Sequence, residues 1–150
     1  MIKLNLPEFD FKIKKEDNKQ FIFDDIRKKY ILLTPEEWVR QNFIKYLVNY
    51  KEYPASLISV ESALKINKLQ KRSDIIIYSK KGEPVIIIEC KAPEVKISQK
   101  TFDQVSLYNY NLKVSYLIIT NGLSHYCCEI NYTTGSYKFI NKIPGYSQLS

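Results

Sequence analysis

Two short apolar runs constrain this chain more than any other feature. "DIIIYS" (residues 74–79) and "VIIIEC" (residues 85–90) are rich in β-branched residues, and "KKGEP" (residues 80–84) separates them. Runs of this length read as buried strands, and the Gly and Pro between them read as a turn. Placing a two-residue turn at Lys81-Gly82 sets Lys80 against Glu83, Tyr78 against Val85 and Ile76 against Ile87. Continuing the count brings Asp74 opposite Glu89. Directly opposed residues on an antiparallel pair have Cβ atoms roughly 4.5–5.5 Å apart.

That register raises a chemical question. Two opposed carboxylates destabilise a sheet, and one should have its pKa raised by the other. A divalent cation removes the conflict. Mg²⁺ takes oxygen ligands and is commonly held by one or two carboxylates, with waters and substrate phosphate completing its shell; Mn²⁺ can substitute. Lys91 follows Glu89 by two residues and shares its face, whereas Cys90 points away. The expected site is therefore Asp74 and Glu89 as metal ligands, with the Cys90 backbone carbonyl as a further one. Lys91 would orient or help deprotonate a water and stabilise charge on a phosphate.

The rest of the chain supplies a frame. Phe9, Phe11 and Ile13 alternate with polar residues, as do Phe21 and Phe23, and Asp17-Asn18 between them predicts a peripheral hairpin. "LLTPEEWVRQNFIKYLVNY" has Thr34 as N-cap, Pro35 at the first helical position and Glu37 three residues after the cap. A helix is predicted from about Pro35 to Asn49, with Trp38, Val39, Phe43, Tyr46 and Leu47 on its apolar face. Leu57 to Glu61 reads as a strand, with helix and extended structure both open as far as Ile66. A second helix is expected over "SQKTFDQVSLYNY" (residues 98–110), then a strand in "SYLIITN" and a final hairpin around Thr134-Gly135.

The order is helix, three strands, helix, strand, then extra strands. It predicts an α/β (α+β) fold in which a mixed sheet is flanked by helices. All 150 residues read as one unit, with a core at about 33–129 and residues 1–32 as a peripheral N-terminal extension.

The formal charge is +7, from 23 basic and 16 acidic residues, which suits a phosphate backbone. Only three basic residues are Arg (Arg27, Arg40, Arg72), so a Lys-rich codon bias explains some of that charge equally well. Cys90, Cys127 and Cys128 match neither a disulfide framework nor a zinc site, and reduced thiols suit a cytoplasmic protein. No secretory signal and no membrane-spanning run is expected.

"RSDIIIYSKKGEPVIIIECKAP" resembles the PD-(D/E)xK nuclease motif, with Asp74, Glu89 and Lys91 in its three roles and Ser73 where a Pro usually stands. From Leu33 to Glu129, "LTPEEWVRQ", "ECKAP", "FDQVSLYNY" and "YLIITNG" resemble the N-terminal nuclease domain of type I restriction enzyme motor subunits. The resemblance implies a restriction-endonuclease-like core and a metal-dependent DNA endonuclease. It also implies an acidic residue on the first helix facing the metal, matched by Glu37, and a Gln-xxx-Tyr pair that supports the site and binds the phosphate backbone, matched by Gln104 and Tyr108. No counterpart of the helicase part of such subunits is expected among these 150 residues.

Plainer readings stand beside these. Glu37 could simply complete the capping box with Thr34, Gln104 could be a solvated helix residue, and Tyr108 could belong to the core. Lys71 and Arg72 could contact DNA or sit in a solvated turn. Glu61 is expected to face water and His125 to be structural. The alternative function is a catalytically silent nucleic-acid-binding module. A third is a structural subunit forming a homodimer through the C-terminal hairpin. Neither the DNA structure preferred, nor a restriction or repair partner subunit, is specified.

Overall fold

The computed structural model describes residues 1–62, 73–109 and 113–149. A small antiparallel sheet comes first: β1 (Ile13–Glu16), β2 (Lys19–Asp24) and β3 (Lys29–Leu32), in the order β1-β2-β3. Asp17 and Asn18 join β1 to β2 with φ of 52° and 64°, the left-handed pair that a tight hairpin turn requires. The hairpin expected there is present, and β3 adds a third strand to it.

Helix α1 (Pro35–Asn49) has the predicted bounds. The Thr34 hydroxyl accepts the Glu37 amide at 3.0 Å, and Pro35 begins the helix. The reciprocal half of a capping box is not made, because the Glu37 carboxylate is engaged elsewhere.

A six-stranded sheet follows, in chain order: β4 (Ile58–Ser62), β5 (Ser73–Tyr78), β6 (Pro84–Cys90), β7 (Tyr116–Thr120), β8 (His125–Asn131) and β9 (Ser136–Ile140). Every neighbouring pair is antiparallel except β6 and β7. That parallel step is made by α2 (Gln99–Asn109), the crossover helix expected after Glu89. The mixed sheet with flanking helices agrees with the sequence reading.

Both sheet faces are covered, which is why the central strands are apolar throughout rather than alternating. Ile75, Ile77, Ile86, Ile88, Cys90 and Ile118 pack with Val39, Phe43, Ile44 and Leu47 of α1. Ile76, Ile87, Leu117, Ile119 and Cys128 pack with Phe102 and Val105 of α2. Each fully buried Ile contributes roughly 1.5–3 kcal/mol relative to exposure.

The segment before α1 is more than an appendage. Leu4 joins the core under α1, the Trp38 indole donates to the Ile2 carbonyl at 2.9 Å, and the Asn5 amide donates to the Gly122 carbonyl at 2.8 Å. Gly122 has φ +85°, and a Cβ there would lie 2.6 Å from Leu4 Cδ2. His125 sits at the same junction. Its Nε2–H donates to the Asn5 carbonyl at 3.0 Å, and Nδ1 pairs with the Thr120 hydroxyl at 2.7 Å. Burial holds the ring below its ordinary pKa, in keeping with a structural role.

Among the described residues, no helix is long and apolar enough to cross a membrane. Cys90, Cys127 and Cys128 are all free and buried.

Candidate active site

The β5–β6 hairpin differs from expectation at its turn and agrees at its far end. The turn is not the pair Lys81-Gly82. Ser79 accepts the Gly82 amide at 2.9 Å, and its own amide donates to Glu83 at 2.8 Å, so Lys80, Lys81 and Gly82 form a wider loop. Gly82, with φ +83°, supplies the left-handed residue. Tyr78 consequently pairs with Pro84 rather than Val85. An irregularity between Ile77 and Tyr78 then shifts the register by one, and Ile76 pairs with Ile87 and Ile75 with Ile88. One residue further along that register, Asp74 falls opposite Glu89.

Asp74 is buried and doubly held. Its Oδ2 accepts the Cys90 backbone N–H at 2.7 Å, and its Oδ1 accepts from Arg40 Nη2 at 2.9 Å. Glu89 is also largely buried, and Lys91 Nζ lies 3.1 Å from its Oε1. Burial, and then the Asp74 charge, push the Glu89 carboxyl up to about 7; Lys91 opposes the rise, and Glu36 adds to it. The hairpin count attributes such a rise to the opposing carboxylate; here burial is the larger cause and Asp74 the second. The fully buried Cys90 thiol is pushed well above its ordinary value by burial and by Asp74, so it stays neutral. Its side chain packs in the core under α1.

Glu37 does not face this pair. Its Oε1 is bonded by Arg40 Nη1, and its Oε2 by Arg27 Nη2 at 2.9 Å and Gln41 Nε2 at 2.7 Å. Both oxygens serve cationic or amide donors. Glu36 is the acid of α1 that the Glu89 carboxyl senses. It is half exposed, and its Oε2 lies 3.1 Å from Arg40 Nη2.

Arg40 is the residue that sequence reasoning missed. It joins Glu36, Glu37 and Asp74, and its guanidinium is almost wholly buried. Burial alone would lower its pKa; Asp74 and Glu37 outweigh that and raise it. The network continues to the small sheet through Arg27, which bonds Glu37 and the fully buried Asp24. Burial favours the neutral form of Asp24, but hydrogen bonds from the Arg27 amide and side chain and from Gln41 hold its carboxyl below the usual value. The signal was present in the composition. In a chain whose basic residues are nearly all Lys, two of the three Arg sit in this network. Arg is suited to that place because its planar fork can bond two carboxylates at once.

The other expected residues are less assembled. Gln104 lies on α2 and is exposed. Tyr108 is on α2, but its side chain, like all of Lys71 and Arg72, lies outside the described residues. Glu61 is on β4, also without a described side chain. Among the described residues, no three His, Cys, Asp or Glu side chains form a ready metal cage. Asp74 and Glu89 offer hard oxygen donors that fit Mg²⁺ or Mn²⁺, but the shell would need the Cys90 carbonyl, waters and phosphate to complete it.

Comparison with known proteins bears on the family and the fold. No curated protein matches the chain. Among solved structures, a fragment of an HsdR subunit of a type I restriction enzyme from Vibrio vulnificus YJ016 superposes with a TM-score of 0.55 at 22% identity, over 78% of this chain and 24% of that one. The chain thus spans about a quarter of that relative, and the likeness shows a shared fold. A model of the type I restriction enzyme R protein N terminus matches residues 35–144. That stretch begins at the first residue of α1 and takes in Asp74, Glu89 and Lys91, and on it the chain belongs to the type I restriction enzyme R protein N-terminal family.

Proposed function

We propose that this chain is a metal-dependent DNA endonuclease domain with Asp74, Glu89 and Lys91 at its centre. One observation carries the reading. A buried Glu89 carboxyl, pushed up to about 7 beside Asp74, has Lys91 Nζ at 3.1 Å. Perturbed carboxyls with a specific charged partner cluster at functional sites.

Asp74, Glu89 and the Cys90 carbonyl would hold Mg²⁺ or Mn²⁺, which when bound polarises a phosphate oxygen and acidifies a water. Arg40 and the Cys90 amide each hold one oxygen of Asp74. Lys91 shares the strand face of Glu89, where its ammonium orients the attacking water and offsets charge on the phosphate. Glu36 adds negative charge at the mouth of the site. The Lys-rich surface follows the phosphate backbone, with Gln104, Tyr108, Lys71 and Arg72 assigned to its contacts. A reducing, cytoplasmic setting fits three buried free thiols.

The test uses supercoiled plasmid, duplex, branched and single-stranded DNA, incubated with the purified chain in Mg²⁺, Mn²⁺ or EDTA. Nicking that needs the metal supports the proposal. Salt-dependent binding without cleavage under any metal would instead support a silent DNA-binding module.

A further inference from the structure

Arg40 occupies a position that a metal-ligand carboxylate does not need for folding alone. Its Nη2 is shared between Asp74 Oδ1 at 2.9 Å and Glu36 Oε2 at 3.1 Å, while Nη1 holds Glu37. Its Nε is buried and has no hydrogen-bond partner among the described residues. An unmet buried donor is normally avoided, so its presence marks an arrangement in which the side chain satisfies several acids at once and none of them fully.

Resting on the metal-site reading, we infer that Arg40 is a resident counter-cation for Asp74, which divalent metal must displace or crowd. The guanidinium holds the buried carboxylate in place without metal. A divalent ion at Asp74 and Glu89 meets that positive charge at close range, so Arg40 lowers metal affinity and sets a threshold concentration for loading. Glu36 and Glu37 give the guanidinium somewhere to go: Nη2 transfers wholly to Glu36, while Nη1 keeps Glu37. The arrangement is a handover between two acids on one helix, a turn apart from Arg40. Through Glu37 and Arg27 it also ties the threshold to the N-terminal sheet.

Isothermal titration with Mn²⁺ or Ca²⁺, alongside thermal unfolding, tests this without any activity readout. Arg40→Gln should bind the ion about tenfold more tightly or better, and should gain more melting temperature from saturating ion than the wild type. Arg40→Lys should fall between them. A folded Arg40→Gln chain with unchanged or weaker affinity overturns the inference. Should that variant not fold, side-chain NMR of the wild type decides: the Arg40 Nε–Hε signal should shift as Ca²⁺ saturates, and a signal that stays fixed overturns the inference. Asp74→Asn separates the two levels. Binding that is lost in Asp74→Asn but indifferent to Arg40 removes this role alone. Wild-type chain with no Asp74-dependent binding removes the metal site and this role together.

Discussion

The last amide of β6, that of Cys90, donates to a side chain on the neighbouring strand, Asp74 Oδ2, at 2.7 Å. This contact fixes one oxygen of the Asp74 carboxylate against the strand that carries Glu89 and leads directly into Lys91. Arg40 fixes the other from α1. Asp74 is thus positioned by the sheet and by the helix together, and its removal should be felt in both.

Asp74→Ala leaves the Arg40 guanidinium and the Cys90 amide without their partner. Breaking a buried pair from one side is expected to destabilise by about 3–5 kcal/mol. Asp74→Asn keeps the shape but has a single acceptor oxygen, so it can accept only one of the two bonds; it should be milder than Asp74→Ala yet still destabilising. Urea unfolding of the two variants checks the order.

Glu89 should give stability a distinctive pH dependence. Its carboxyl moves from an ordinary 4.5 to about 7. Between those values the folded chain keeps a proton that the unfolded chain has released, so stability falls as pH rises from 4.5 towards 7 and levels off above. The loss amounts to about 3 kcal/mol at most. Glu89→Gln should flatten this slope. Lys91→Ala should move its upper end higher, because Lys91 is what holds the carboxyl down. Thermal melts across that range measure all three.

Glu36 and Glu37 are adjacent in sequence and should behave oppositely. Glu37→Ala strips a buried partner from Arg27, Arg40 and Gln41, and should destabilise by about 3 kcal/mol or more. Glu36→Gln alters a half-exposed residue and should change stability by less than about 1 kcal/mol. It should nevertheless weaken divalent-ion binding, which titration of the folded variant reads directly.

Gly122→Ala tests the junction between the N-terminal segment and the β7–β8 turn. The new Cβ would meet Leu4 at 2.6 Å from a residue with φ +85°. A loss of roughly 1–3 kcal/mol is expected. Leu4→Ala combined with it should recover the steric part, leaving only the backbone strain and the cavity.

The sheet was legible because Ile75, Ile76 and Ile77 and their partners in β6 can be buried in few other ways. Even the turn, read as Lys81-Gly82 instead of the loop from Ser79, did not spoil the site. The irregularity at Ile77/Tyr78 absorbs the difference, so Ile75, Ile76 and Ile77 keep the partners Ile88, Ile87 and Ile86 that the count gave, with Asp74 and Glu89 the next residues along. The bounds of α1 followed from Thr34 and Pro35. Its polar residues were harder to place. Glu37, Arg40 and Gln41 fall outside the apolar positions of the helix, yet all three are buried, because the small N-terminal sheet brings Asp24 and Arg27 over them. A contact between segments that distant leaves no periodic trace. The resemblance matched Glu37 to the metal-facing acid, whereas Glu37 is engaged by Arg27, Arg40 and Gln41, and Glu36 is the acid of α1 whose charge reaches Glu89.

The central claim is that Asp74, Glu89 and Lys91 form one phosphodiester-cleaving site. Lys91→Ala tests it most directly, since Lys91 is partly exposed and its loss should leave the fold intact. Cleavage of supercoiled plasmid in Mg²⁺ or Mn²⁺ should be robust for the wild type and fall by about a hundredfold or more for the variant, with circular dichroism unchanged. Equal metal-dependent nicking by both would contradict the account.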